Sequence, residues 1–448
     1  MEVNTMKNNM TACCSEDIRK IEVIKPMGFA VKSNWSRRLW TFLVVVGPGL
    51  IVMEADNDAG ALSTYTQAGA QYGLKLLWLL ILLLPVCYLC QEMVARLGIV
   101  AGEGHAAMIY KRFGKWWGRF SLFDLLLLNF FTLVTEFAAI DLVAQKIHMS
   151  PYVAVPLTVF FLVAMVITSS YRRWEWITVA LCLFDLAWFV GALVCKPPVT
   201  EVVRNAIIPT IPVGGITGAL IFIMIAIVGT TIAPWQLFFQ QSCVADKRLR
   251  KSDLKYARMD TFMGSVFTII IAGCMMVVGY TLSQHGITYE DPAQMAVALG
   301  SLFGSGLRDV LLLLCVNAAV LGSTAISLSS AWAYGEVRGW PSSLQMSFRQ
   351  APGFYTIYTI CVIAAAALVL VPKAPLQLII VGVQVLAGIM LPSALIFLQL
   401  LLNDKEVLGA KYINKRWNNI ANWTIIIILF VMSMVLAVQV IFPKLFPT

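Results

Sequence analysis

Charge is scarce in this chain. Asp, Glu, Lys and Arg make up 13% of its 448 residues, against roughly 25% in soluble domains. With 59% apolar residues and a mean hydropathy of +0.79, one core in water cannot absorb it. That excludes an ordinary soluble enzyme, a nucleic-acid module and a disordered chain. Strict polar–apolar alternation is also missing, which excludes a membrane β-barrel. Histidine numbers three, and no nucleophile–base pair or phosphate loop is present, so no enzymatic activity is expected. Gly102-Glu103-Gly104 reads as a flexible turn.

What is present is a series of continuous apolar runs of about 20 residues, each long enough to cross a bilayer as a helix. Eleven spans are expected, at 41–65, 74–98, 121–145, 152–170, 177–195, 214–242, 260–283, 309–333, 354–372, 376–402 and 421–443. With the N-terminus placed in the cytoplasm, 26 of the 33 Lys and Arg fall on cytoplasmic segments. This is the positive-inside asymmetry, and it puts the C-terminus outside. The net charge of +9 is therefore a topology signal, and no nucleic-acid partner is expected; Lys247, Arg248, Arg250 and Lys251 belong to this signal. Residues 1–40 form a basic cytoplasmic tail with no secretory signal expected in it, and Trp40 begins an interfacial approach to the first span. Residues 41–448 form one transmembrane domain, with polar linkers at 99–120, 196–213, 243–259, 284–308 and 334–353.

Cysteine is uninformative by comparison. Cys87, Cys90, Cys182, Cys274, Cys315 and Cys361 lie within apolar spans, where cysteine behaves as a small hydrophobe. The Cys87–Cys90 spacing has no second pair or histidine nearby and reads as packing. Trp116 and Trp117, beside Lys115 and Arg119, read as an interfacial anchor. His105, His148 and His285 fall in or near linkers, as ordinary surface histidines do. Asp124 reads as interfacial. Asp141 and Asp185 are either polar links between helices or part of an inner vestibule.

Two spans are anomalous. The first carries Glu54, Asp56, Asn57 and Asp58 within five residues. An acid at helix centre costs about 2.5–3.5 kcal/mol to insert, so these groups must face protein, water or a bound cation. No Lys or Arg lies deep in any span to neutralise them. Gly60 is the expected opening point of that helix. In the sixth span, Gly229-Thr230-Thr231-Ile232-Ala233-Pro234 weakens the helix, and Pro234 is expected to clash with the Thr230 carbonyl. The two spans hold corresponding places in two five-helix halves. Broken first and sixth helices in inverted repeats place a substrate site between the breaks. The fold expected is therefore all-α and polytopic, a LeuT-like pair of inverted five-helix repeats plus an eleventh helix.

These residues carry a resemblance. Gly47-Pro48-Gly49, Asp58-Ala59-Gly60-Ala61 and Gln67-Ala68-Gly69-Ala70-Gln71-Tyr72-Gly73 resemble the first helix of the NRAMP family of divalent-metal transporters, whose motif there is Asp-Pro-Gly-Asn. Gly229 to Gln236 resembles its sixth helix, whose core reads Met-Pro-His-Asn. The similarity continues through Asp260, Gly322-Ser323-Thr324, Gln384 and Leu391-Pro392. The resemblance implies that Asp58 is the metal-binding aspartate and that Thr230 offers a carbonyl. It also implies that Ala61 and Ala233 replace the family's asparagine and thioether ligands.

Loss of the thioether removes a soft donor that favours transition metals, and two alanines widen the site. Oxygen ligands in a wide acidic site suit a partly hydrated Mg²⁺, which sheds its waters reluctantly. Asn57 and Gln236 are placed to hydrogen-bond those waters, and Glu54 and Asp56 to attract the ion as it approaches. The pattern is similar to the magnesium-transporting branch of the family, with Mn²⁺ as a further substrate. Trp235 and Gln240 stand where the family's proton-linked histidines would be. Glu136 is kept, Ala139 replaces the next acid, and no arginines appear in the ninth span. Transport without proton coupling is expected, by alternating access, in a monomer of the plasma membrane of a bacterium. No cofactor is expected, since Mg²⁺ or Mn²⁺ is the substrate. The alternatives are a proton-coupled Mn²⁺/Fe²⁺ carrier, an aluminium-transporting relative, a Na⁺-coupled amino-acid carrier of the same fold, and a non-transporting sensor. The acids would repel an amino-acid carboxylate, and no soluble signalling domain is visible to serve a sensor.

Overall fold

The computed structural model describes residues 47–212, 215–371 and 375–441, and all of them belong to the unit spanning residues 45–448. The basic tail, Trp40 and the start of the first span lie outside the described residues, as do the last residues expected in the eleventh. Among the described residues there is no strand. The first span appears as two helices, α1 (Pro48–Glu54) and α2 (Ala59–Tyr72), and a 3-10 turn then leads into α3 (Leu77–Ala101). The third span is the long α4 (His105–Lys146), bent at Gly114, where φ is +89°. Next come α5 (Pro151–Val166), α6 (Tyr171–Phe184), α7 (Ala187–Val194) and α8 (Val199–Ile207). The sixth span is again two helices, α9 (Gly218–Thr231) and α10 (Pro234–Asp246). The remainder is α11 (Leu254–Gln284), α12 (Pro292–Phe303), α13 (Ser305–Arg338), α14 (Pro352–Val369), α15 (Leu376–Leu402), the short α16 (Lys405–Leu408) and α17 (Arg416–Ile441).

Each expected span thus has a helical counterpart, and nine helices among the described residues are long and apolar enough to cross a membrane. The fourth span, α5, has 16 residues, which at 1.5 Å per residue is about 24 Å. The fifth span is locally tightened as well. Asp185 and Leu186 keep helical dihedrals, but their amides donate to carbonyls three residues back, at 3.2 and 3.3 Å. Two expected polar linkers, 196–213 and 284–308, contain the helices α8 and α12.

Helices in lipid gain little from burying apolar surface against each other, so close approach depends on small residues. Here glycines mark the contacts that fix the two broken spans. A side chain at Gly69 would strike the Met276 carbonyl of α11, and one at Gly279 the Thr66 backbone of α2. Gly264 lies against Gly49 and Met53, so α11 holds α1 and α2 alike. Gly229 and Gly388 bring α9 and α15 together at backbone distance. Between α4 and α13, Asn129 donates to Ser330 at 2.9 Å.

The basic face is tied by charge. Asp260 accepts from the amides of Gly49 (2.7 Å), Leu50 (3.1 Å) and Gly47 (3.3 Å), so one carboxylate caps the start of α1. Glu92 pairs with Arg96 (3.2 Å) and Arg258 (2.8 Å), and Lys247 pairs with Glu175 (2.6 Å). Gly102-Glu103-Gly104 is more than a flexible turn. Gly102 is left-handed at φ +70°, and Gly104 leaves room for the Glu336 carboxylate. His105 is no surface histidine either: it is fully buried, and its Nδ1 meets Gln241 Oε1 at 2.7 Å. His148 and His285 are exposed, as expected. Trp116 and Trp117 are exposed too, as an interfacial anchor requires. Asp124 is half-buried and accepts from Ser393 of α15 at 2.6 Å, so it joins two helices rather than facing the interface.

Candidate functional site

The first break runs from Ala55 to Asp58. It precedes Gly60, which lies in the first turn of α2 and not at the opening. Gly60 serves another purpose: a side chain there would collide with the Gln384 amide of α15. Asp58 has extended dihedrals and caps α2 by accepting from the Ala61 amide at 2.8 Å. The second break consists of Ile232 and Ala233, the latter extended at φ −90°, ψ 146°. Pro234 is the first residue of α10, where its missing N–H costs nothing. The expected clash with the Thr230 carbonyl does not arise, because the chain has already left the helix.

Around these breaks several polar groups are engaged with one another. Asp56 Oδ1 accepts from Gln236 Nε2, and Gln236 Oε1 accepts from Gln91 Nε2 at 2.8 Å. Glu54 accepts from the Thr268 hydroxyl at 3.0 Å and from Asn57 Nδ2 at 3.4 Å. Glu136, reaching from α4, accepts from the Ala59 amide at 3.1 Å and so supports the start of α2. Gly322 lets Asp58 and Glu136 approach, since a Cβ there would meet both at under 3 Å. Ser329 donates to the Trp235 carbonyl at 3.1 Å.

Asp56 Oδ2, Asn57 Oδ1, Thr230 Oγ1 and Gln384 Nε2 are buried without a partner among the described residues. Such groups are costly unless something completes them. Glu54, Asp56, Asn57, Asp58, Ala61, Glu136, Thr230, Ala233, Trp235, Gln236 and Gln384 are all at most 3% exposed. The sequence-predicted residues are therefore all buried in the structure. Glu54 and Asp56, expected along the approach, sit inside with the rest. None of the four acids has an ion-pair partner among the described residues. A buried carboxylate without a cation is strongly disfavoured in its charged form, so each of these acids needs either a bound cation or a proton. Among the described residues no three His, Cys, Asp or Glu converge as a metal site. A cation here would meet few carboxylates, with amide, hydroxyl, carbonyl and water oxygens completing its shell.

Several participants were not singled out in the sequence. Gln91, Thr268 and Asn317 are polar residues within apolar spans, which is the signal that marks them. Asn317 donates to Asp185 Oδ1 at 2.8 Å and to the Leu181 carbonyl at 3.1 Å, so Asp185 is a link between helices. Asp141 accepts from Gln145 of its own helix at 3.0 Å, and no other side-chain partner is found among the described residues. Sulfur is also nearer than the replacement of the thioether by Ala233 suggests. Cys87 Sγ lies 3.6 Å from the Thr231 carbonyl and 3.9 Å from Met53 Sδ.

A family model described as "Natural resistance-associated macrophage protein-like" matches residues 49–439. The chain is 27% identical over 447 residues to the divalent metal cation transporter MntH of Staphylococcus saprophyticus, covering 93% of this chain and 96% of that protein. It is 24% identical over 461 residues to MntH of Staphylococcus aureus, covering 96% and 98%. Among solved structures, the Eremococcus coleocola manganese transporter bound to an aromatic bis-isothiourea compound superposes with a TM-score of 0.74 at 19% identity, over 93% of this chain and 90% of that one. MhsT in complex with L-phenylalanine superposes with a TM-score of 0.53 at 13% identity, over 87% and 97%. The fold is thus the LeuT-like one, with helices one and six broken.

Proposed function

The chain belongs to the Nramp family, and from that premise we propose that it carries a divalent cation, Mg²⁺ before Mn²⁺, across the plasma membrane of a bacterium by alternating access and without proton coupling. Its relatives are named divalent metal cation transporters, and it is a multi-pass membrane transporter with no enzymatic role. The observation that carries the Mg²⁺ reading is the set of partnerless buried atoms at the breaks, three of them oxygens: Asp56 Oδ2, Asn57 Oδ1 and Thr230 Oγ1. Mg²⁺ is usually held through one or two carboxylates with several waters retained. A site with few convergent acids and two alanines, Ala61 and Ala233, supports a hydrated ion.

In this reading Asp58 supplies charge to the ion and Thr230 a carbonyl. Asn57 and Gln236 hold its waters, and Gln91 fixes Gln236 in turn. Asp56 stands beside the ion rather than on its approach. Glu136 is engaged with the Ala59 amide, which supports a structural role over a place in a proton wire. With the N-terminus cytoplasmic and the C-terminus outside, the membrane potential drives entry, by about 2.3 kcal/mol per charge per 100 mV and twice that for a divalent ion. The protein works as a monomer in this proposal.

One observation favours a second reading, a transition-metal carrier. The Cys87 thiol beside Thr231 is a soft donor one layer from the breaks, and Eremococcus coleocola's manganese transporter shares the fold. Uptake into proteoliposomes, with internal Mg²⁺ and pH dyes read together, separates the two. Mg²⁺ entry without acidification, abolished in Asp58→Ala, is expected. Mn²⁺ entry with acidification and no Mg²⁺ flux would overturn the proposal.

A further inference from the structure

Away from the breaks, the linker after α7 has an unusual surface. Val199, Val203, Ile207, Ile208 and Ile211 are each at least half exposed, although they lie outside the spans. None of the residues of α8 is buried. An amphipathic helix with bare aliphatic side chains beside a transmembrane bundle lies in the membrane interface. Between α8 and the bundle is an apolar cavity of about 270 Å³, lined by Leu77 and Leu80 of α3, Phe189 of α7, Val202 of α8, and Gly273 and Cys274 of α11, among others. Gly273 borders open space in it, since a Cβ there would make only an ordinary contact with Leu77 Cδ2, at 3.9 Å.

Two lysines adjoin the lining of this groove along the chain. Lys196 directly precedes the lining residue Pro197, and Lys75 lies in the 3-10 turn just before Leu77. The Thr210 hydroxyl donates to the Lys75 carbonyl at 3.4 Å, which ties the linker to that turn. Neither lysine has an ion-pair partner among the described residues. Both lie on the face where basic residues are few, so they are not explained by the charge asymmetry that orients the chain.

We propose that this groove is a binding site for an anionic phospholipid, with one acyl chain between α3, α7, α8 and α11 and the phosphate held by Lys75 and Lys196. The groove supplies apolar burial, and the two ammonium groups supply the preference for a negatively charged headgroup. The bound lipid covers Gly273 and Cys274 of α11, the helix that holds both halves of the first span.

Native mass spectrometry of the full chain, with dioleoyl phosphatidylglycerol and dioleoyl phosphatidylcholine supplied in equal amounts, tests this. One phosphatidylglycerol is expected to be retained at least fivefold over phosphatidylcholine. Gly273→Phe, which fills the groove, is expected to abolish that adduct, and Lys75→Gln with Lys196→Gln to bring the two lipids to parity. The unfolding temperature in detergent verifies that the variants fold; should Gly273→Phe not fold, Ala192→Phe on the same lining replaces it. Equal retention of both lipids by the unaltered chain, or an undiminished adduct in the filled groove, would overturn the proposal.

Discussion

Asp260 shows how much one side chain can govern in this chain. Its carboxylate takes three amides at the start of α1, where it also meets the positive end of the helix dipole. Asp260→Asn keeps the shape but loses the charge, and should cost about 1–2 kcal/mol. With α1 loosened, alkylation of the fully buried Cys87, followed by peptide mapping, should speed up at least severalfold. An unchanged rate would show that α1 is held by packing instead. Cys87→Ser tests the sulfur beside the second break: Mg²⁺ flux should stay within about twofold of the parent, because a hard ion has no preference for a thiol. A collapse of Mg²⁺ flux would place the sulfur among the ligands. At this level the sequence was readable where residues were out of place for a membrane. Glu54, Asp56, Asn57 and Asp58 announced themselves by cost alone. Gln91 did not, because its partnership with Gln236 spans 145 positions and has no local pattern.

Among the helices, the break positions were legible and their mechanics were not. Pro234 and Gly60 were both read as the points of rupture. In fact Asp58 opens a new helix by capping it, and Pro234 opens another by sitting at its first position. The reason is that helix-breaking residues also make good helix beginnings, and sequence alone does not say which use is made. The α8 and α12 segments were hidden for a similar reason, since short interfacial helices lack the long apolar run that marks a span. Contacts between helices depend on glycine. Gly279→Val would drive a side chain into the Thr66 backbone and should destabilise the protein by about 1–3 kcal/mol. Gly382→Ala, with no atom of another described segment within 4 Å of the added carbon, should leave the detergent unfolding temperature within a few degrees. Equal tolerance of both would mean that α2 and α11 can part freely.

For the molecule as a whole, the charge asymmetry makes a prediction about orientation. A cysteine in the loop at Ser252 should be reached by membrane-impermeant maleimide only after cells are opened. One at Gly286 should react in intact cells; the reverse pattern would invert the topology. The number of spans, their order and the pairing of two breaks were all available from hydropathy and from a few misplaced polar residues. The burial of the central polar groups was not, because it depends on how the helices pack. One consequence follows from the short link between α1 and α2. Ala55 to Asp58 is both the joint between two helices fastened to α11 and the segment that carries Asp56, Asn57 and Asp58. A rotation of α1 about that joint would pull these oxygens apart in the same stroke that admits water. In the proposed transport cycle, holding and letting go would then be mechanically one event, and the stiffness of four peptide units would set how long an ion stays.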